Sequence, residues 1–382
     1  MKNRYFITTT TNLTIYALII SVFKPYFLSD NITSMLRVIC LSAVILFLVK
    51  RRALEYFVNF AVPFGATVVI SCILNYDNGN LSLFNMMCGF LYAFCIVCMC
   101  AMIKYCTYKE SFFNFLICLK RILLLYFIIS IVSILMQGSN ALHYAFGSKF
   151  MTSYLFLLLS GVLYAIYSVS QKKSDRLIFV WIVCVSLVAM IYMFAITGLL
   201  TYIVFILICT YGKRFTKALS NRYVFIISII MSMVVLISLN EILQLDIIQQ
   251  FIVNVLHKDA TLSDRIRYYS RALNVFKSGN IMYGAGYASS NLQSSIALGS
   301  NIQNGLLQHI LEYGVIGGIC FLYLCYKGIT PYKTSREAIG LIAVLYAFVI
   351  AAIVEISYNL VFFMTVFLYY GLIMVRSKKN KL

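Results

Sequence analysis

Four places in this chain hold residues whose types and spacing could do chemistry. The first is a polar stretch containing Arg265, Arg267 and Arg271. At 100° per residue, Arg267, Arg271 and Asn274 share one helix face, whereas Arg265 points to the side of Tyr269, Ala272 and Phe276. Guanidinium forks match phosphate oxygens, so one reading is a site for an anionic partner. The other is a solvated amphipathic helix paired with Asp259, Asp264 or lipid phosphates, and charge alone leaves both open. The second place is His309 and Glu312, three residues apart, which a helix brings to one face. His309 is a candidate general base there or a buried, hydrogen-bonded histidine. Glu312, inside an apolar run, is a functional candidate or one half of a structural pair. The third is the turn Gly284-Ala285-Gly286-Tyr287, where backbone can come close to a ligand. The fourth is Cys95, Cys98 and Cys100. It contains a CxxC spacing but lies in an apolar run with no histidine near, so packing is the better reading than metal.

The elements that must carry these residues are set by composition. Of 382 residues, 62% are hydrophobic and 11% charged, against roughly 45–50% and about 25% in soluble domains. That excludes a soluble enzyme, a disordered chain and a nucleic-acid binder, although the net charge is +19. The basic residues sit in short clusters between long apolar runs, which is the positive-inside pattern. Twelve apolar segments are expected to span a membrane, since a crossing takes about 20 residues. They centre on Leu13–Phe27, Leu36–Val49, Tyr56–Leu74, Leu81–Ile103, Ile122–Met136, Tyr154–Val169, Leu177–Ile196, Leu199–Tyr211, Tyr223–Leu239, Leu306–Tyr326, Ile339–Ile356 and Leu360–Val375.

With both termini cytoplasmic, 23 of the 31 Lys and Arg fall in inner segments. Arg37 and Lys149 are among the eight outside. The first apolar stretch, behind Lys2 and Arg4, lacks a convincing small-residue cleavage site and reads as a retained span. The fold class is thus an all-α integral membrane protein of about 12 transmembrane helices, forming one polytopic domain over 1–382. One large extracytoplasmic loop, 240–305, lies between helices 9 and 10, and 66 residues there are more than a connection needs. Leu245, Ile248, Ile252 and Leu256 give its first part the face of a membrane-surface helix.

In order along the chain stand Arg265, Tyr269, Ala272, Gly284-Ala-Gly286, Asn304-Gly-Leu-Leu-Gln308 and Glu312-Tyr-Gly314-Val-Ile-Gly317. This series resembles the signature of the O-antigen ligase and Wzy-type polymerase superfamily: an arginine, an aromatic near four residues on, a Gly-x-Gly turn, His-Asn, and Glu-x-Gly-x-x-Gly opening the next helix. The resemblance covers about 55 residues, and the twelve-span plan with one late outer loop fits it. It implies a bacterial cytoplasmic (inner) membrane enzyme, a metal-independent glycosyltransferase without cofactor. Such an enzyme polymerises undecaprenyl-pyrophosphate-linked oligosaccharide repeat units into O-antigen or capsule-like polysaccharide on the outer face.

Its implied partners are that lipid-linked oligosaccharide, membrane lipids and, optionally, a polysaccharide chain-length regulator, with no nucleic acid. Arg265, Glu312 and His309 become the implied catalytic residues. Arg267, Arg271, Gly284, Gly286, Tyr287, Gln303, Asn304, Lys149 and Arg37 become the substrate-binding set. Two departures matter. Gln303 stands where ligases carry the histidine of His-Asn, which argues for a polymerase over a ligase. Ile196-Thr197-Gly198 stands where many relatives carry Ser-Arg, so Arg37 or Lys149 substitutes, or the turns fall elsewhere. The remaining rival is a flippase of lipid-linked oligosaccharide, which should show charges within several spans and two similar halves.

Overall fold

A computed structural model describes residues 2–23, 25, 28–139, 141, 143–242, 280–288, 304–329 and 336–379. Among them are twelve apolar helices: α1 (Lys2–Val22), α2 (Asp30–Lys50), α3 (Val62–Asp77), α4 (Leu83–Tyr108), α5 (Phe112–Gln137), α6 (Lys149–Ser170), α7 (Lys173–Tyr192), α8 (Ile196–Tyr211), α9 (Arg222–Ile242), α10 (Gly305–Gly328), α11 (Ile339–Ala351) and α12 (Leu360–Lys379). Eight apolar helical stretches are long enough to cross a bilayer unaided, and four more are 10–17 residues long. The protein is an all-helical, multi-pass membrane protein. The only sheet among the described residues is a hairpin, β1 (His143–Tyr144) against β2 (Gly147–Ser148), between α5 and α6.

Every expected span falls on a helix, and two of the boundaries that differ do so for identifiable reasons. The span centred on Tyr56–Leu74 starts late, because Leu54–Phe57 forms a separate 3-10 turn and Pro63 opens α3. Proline has no N–H to give and its φ suits a first helical turn. The span at Ile339–Ile356 ends early, at Ala351. The next carbonyl, of Ala352, is taken by the start of α10: Gly305 N donates to it at 3.1 Å and Asn304 Nδ2 at 2.8 Å. A helix end in an apolar bundle needs such partners, because no water is there to supply them.

The centre of the bundle is α6 and α12, whose faces are closed on nearly all sides. With no hydrophobic driving force between helices in lipid, close backbone approach holds them, and small residues permit it. Gly161 of α6 faces α11 so tightly that an added Cβ would lie 2.5 Å from Val344 Cγ2, while one on Gly340 would lie 2.8 Å from Tyr164. At one end of the bundle the charged residues pair across helices. Lys120 meets Asp175 at 3.6 Å, Arg376 meets Glu337, and Arg222 Nε donates to Ile329 O at 3.0 Å. All come from segments that the charge pattern assigns to the inside.

Gly161→Leu should therefore force α6 and α11 apart. Overpacking of this kind costs about 1–3 kcal/mol, read as a lowered melting temperature of the purified protein in detergent; an unchanged melt would contradict this crossing.

Candidate functional site

The α10 helix is broken inside its own first half. Gly314 adopts φ 72°, ψ −176°, and the α-helical ladder opens there. Four backbone groups lose their intrahelical partners: the carbonyls of Leu311 and Glu312, and the N–H groups of Val315 and Ile316. The segment 280–288 inserts and takes all four. Ala285 N donates to Leu311 O (2.9 Å) and Gly286 N to Glu312 O (2.8 Å), while Val315 N donates to Ile281 O (3.0 Å) and Ile316 N to Met282 O (3.3 Å). Irregular backbone at such a place is tolerated only when each polar group is re-partnered.

The glycines follow from this contact. A Cβ on Gly284 would lie 2.5 Å from the Glu312 carbonyl and from Gly314 N, and one on Gly314 would overlap the Met282 carbonyl. Both residues also have positive φ, which side chains resist. Gly284-Ala-Gly286 and Glu312-Tyr-Gly314 are thus two halves of one joint. Helix α3 braces it from the other side. Ser71 Oγ donates to Glu312 O (2.8 Å), and Asn75 Nδ2 donates to Gly284 O (2.9 Å) and Ser71 O (2.8 Å). From α4, Asn85 Nδ2 holds the Ala288 carbonyl at 3.1 Å.

The joint sets the side chains around a cavity of about 290 Å³. Arg37, Tyr92, Tyr287 and Asn359 provide its polar lining, and Val22, Phe23, Leu155 and Val361 are among its apolar walls. Arg37 Nε donates to Ser21 O at 3.0 Å, near the end of α1, which aims the guanidinium from α2 toward the bundle. Tyr287 packs on Tyr92, ring centroids 5.3 Å apart and tilted by 36°. Burial pushes the Tyr287 hydroxyl up to about 12, with Arg37 opposing and Glu312 adding to the rise. Glu312, at the joint that carries Tyr287, accepts from Gln308 Nε2 at 2.7 Å.

The structure thus brings Gly284, Gly286, Tyr287, Glu312 and Arg37 together. Other expected site residues are placed differently. His309 does not meet Glu312, whose partner one turn back is Gln308. Its ring is 3% exposed and enclosed by Phe64, Tyr313, Phe321, Tyr358 and Phe363. Asn304 is fully buried and caps α10: its Oδ1 accepts from Leu307 N at 2.9 Å while its amide ties the helix to Ala352 O. Lys149 Nζ donates to Met193 O at 3.1 Å and does not line the cavity, although Gly147 and Met151 beside it do. Arg265, Arg267, Arg271 and Gln303 lie outside the described residues.

Tyr92 and Asn359 were missed in the sequence, as were the brackets Ser71, Asn75 and Asn85. Ser71 and Asn75 did leave a signal, an i, i+4 polar pair on one face of an apolar helix; Tyr92 left none. Among the described residues no three His, Cys, Asp or Glu side chains gather as a metal site requires, and Cys95, Cys98 and Cys100 are buried and free.

The joint predicts a contrast between two glycines of nearly equal φ. Gly79, with φ 71°, has open space where a Cβ would go. Gly79→Ala should cost only the left-handed strain, about 1–2 kcal/mol. Gly314→Ala must in addition expel the inserted segment and strand its four partners, so it should unfold far earlier in a detergent melt. Equal melts would refute the interlock. Against models of known families, curated proteins and solved structures, the chain has no match.

Proposed function

We propose that this protein polymerises undecaprenyl-pyrophosphate-linked oligosaccharide repeat units on the outer face of the bacterial cytoplasmic membrane, acting as a twelve-span glycosyltransferase with both termini inside. One observation carries the reading. The Gly-x-Gly turn and the Glu-x-Gly run, which the resemblance pairs only by their order in the sequence, fit each other as a single backbone joint beside a cavity.

The chemistry asks for few groups. An acceptor hydroxyl attacks the anomeric carbon of the donor sugar, and the bond to the lipid pyrophosphate breaks. The departing pyrophosphate gathers charge, so fixed cations aimed at it lower the barrier. Arg37 lines the cavity and fits this role, where Lys149, engaged by Met193 O, does not. Arg265 is the second cation that the resemblance implies. Arginine gives this help without changing its own protonation. Glu312, anchored by Gln308, is the carboxylate best set to take the acceptor's proton. His309 is enclosed among aromatic rings, and Glu312, like it, stands outside the cavity lining but next to Tyr287's joint.

The apolar walls suit a donor that arrives within the bilayer, since a prenyl chain need not leave hydrocarbon to bring its phosphate to Arg37.

A strain lacking the gene should carry single repeat units on its surface acceptor, with the polymer ladder lost on a gel of surface polysaccharide. Restoring the gene should restore the ladder. Arg265→Ala and Glu312→Gln should leave protein in the membrane and abolish extension. Arg37→Ala should slow it about 10- to 100-fold, the range expected when a charge-assisted contact is removed. A full ladder from the deletion strain would overturn the polymerase reading, and long polymer left on the lipid carrier would point to ligation instead.

A further inference from the structure

The cavity is small. Its 290 Å³ sits at the lower end of the roughly 300–1,000 Å³ of small-ligand sites. That is room for one sugar ring and not for a whole repeat unit. Its polar lining is also selective. Two tyrosines stand packed on one another at 5.3 Å and both face the space. An aromatic face carries negative charge, and the polarised C–H groups of a pyranose are drawn to it. Neither ring is free to swing. Tyr92 is held edge-on to Phe363 at 6.4 Å, and Tyr287 sits on the segment locked into α10, with its Cβ against Gly89 of α4.

Asn359 supplies direction. Its Oδ1 is used up as the cap of α12, accepting from Val361 N (2.9 Å) and Phe362 N (3.3 Å). Among the described residues its Nδ2 has only the Met151 sulfur at 3.4 Å, a weak acceptor for an amide with two N–H groups. An amide N–H facing a cavity in an apolar bundle is a donor in want of an oxygen.

Resting on the polymerase reading, we infer that this cavity is the specificity site for the donor's first sugar, the one joined to the pyrophosphate. Its ring lies against Tyr287 and Tyr92, and one of its oxygens accepts from Asn359 Nδ2. The placement follows from geometry. If Arg37 holds the phosphate, the ring one bond away has to occupy the same small space, which Tyr92, Tyr287 and Asn359 line. Sugars further along the repeat unit lie outside it. The enzyme accordingly reads the lipid-proximal sugar closely and the rest of the unit loosely.

The test uses the full chain in nanodiscs and two probes: undecaprenyl pyrophosphate, and the lipid-linked repeat unit isolated from the deletion strain. The native protein should bind the sugar-bearing lipid about tenfold more tightly than the bare one. Asn359→Leu and Tyr287→Leu should bring that ratio close to one while leaving affinity for the bare lipid in place. Retained bare-lipid binding also shows that these variants are folded. Tyr287→Phe, which keeps the aromatic face, should keep most of the ratio. Arg37→Ala should weaken both lipids alike. Equal binding of the two lipids by the native protein, or a ratio unmoved by Asn359→Leu and Tyr287→Leu, would overturn the sugar site and leave the polymerase reading intact. Failure of both lipids to bind would overturn the polymerase reading, and the sugar site with it.

Discussion

The backbone joint at Gly314 is the constraint on which the rest of the site depends. A helix in a bilayer satisfies its own polar groups, and opening two rungs of its ladder strands four of them, each costing several kcal/mol in hydrocarbon. Here the four find partners in Ile281, Met282, Ala285 and Gly286, so the broken helix and the inserted segment exist only together. The insertion needs the two backbones to touch, which fixes glycine at 284 and 314. It also needs the far side of the segment to be satisfied, and Asn75 and Asn85 do that from α3 and α4. Three helices and one loop segment are thereby registered against each other to within hydrogen-bond tolerance.

From that registration the polar geometry follows. Tyr287 comes one residue after Gly286 N, and so its ring reaches Tyr92 of α4. Glu312 supplies its backbone carbonyl to the joint while its side chain turns to Gln308. One residue therefore links the fold to the chemistry. Arg37 arrives independently, from α2, and is aimed by the free carbonyl of Ser21 where α1 ends. Termination of one helix thus orients the cation carried by the next, a use of unsatisfied helix-end carbonyls that an apolar bundle makes strong.

Much of the helical plan was legible, because apolar run length reports directly on the bilayer. Two of the misplaced boundaries fall where a local event overrode hydropathy: Pro63 delaying α3, and the Ala352 carbonyl engaged by Asn304 and Gly305. Site residues were legible in proportion to how far their backbones constrain them. Gly284 stood out as part of a glycine turn, and the structure leaves no room there for a Cβ. Tyr92 and Asn359 did not, since an aromatic in an apolar helix and an asparagine before one look the same whether or not they face a cavity. The helical i, i+3 spacing set His309 beside Glu312, but spacing cannot say which face the bundle buries. The aromatic rings of α3, α10 and α12 claimed the histidine, and Gln308 took its place.

That exchange has a physical logic. An imidazole surrounded by Phe64, Phe321, Phe363 and two tyrosines fills space as another flat ring, packed like the aromatic pairs around it. A carboxylate cannot be treated so, because burying its charge without partners is far more costly than burying a neutral ring. Glu312 therefore needs a donor, and Gln308 Nε2, one turn back on the same helix, supplies it. The Gly314 joint carries both Glu312 and, through Tyr287, the wall of the cavity that Arg37 shares.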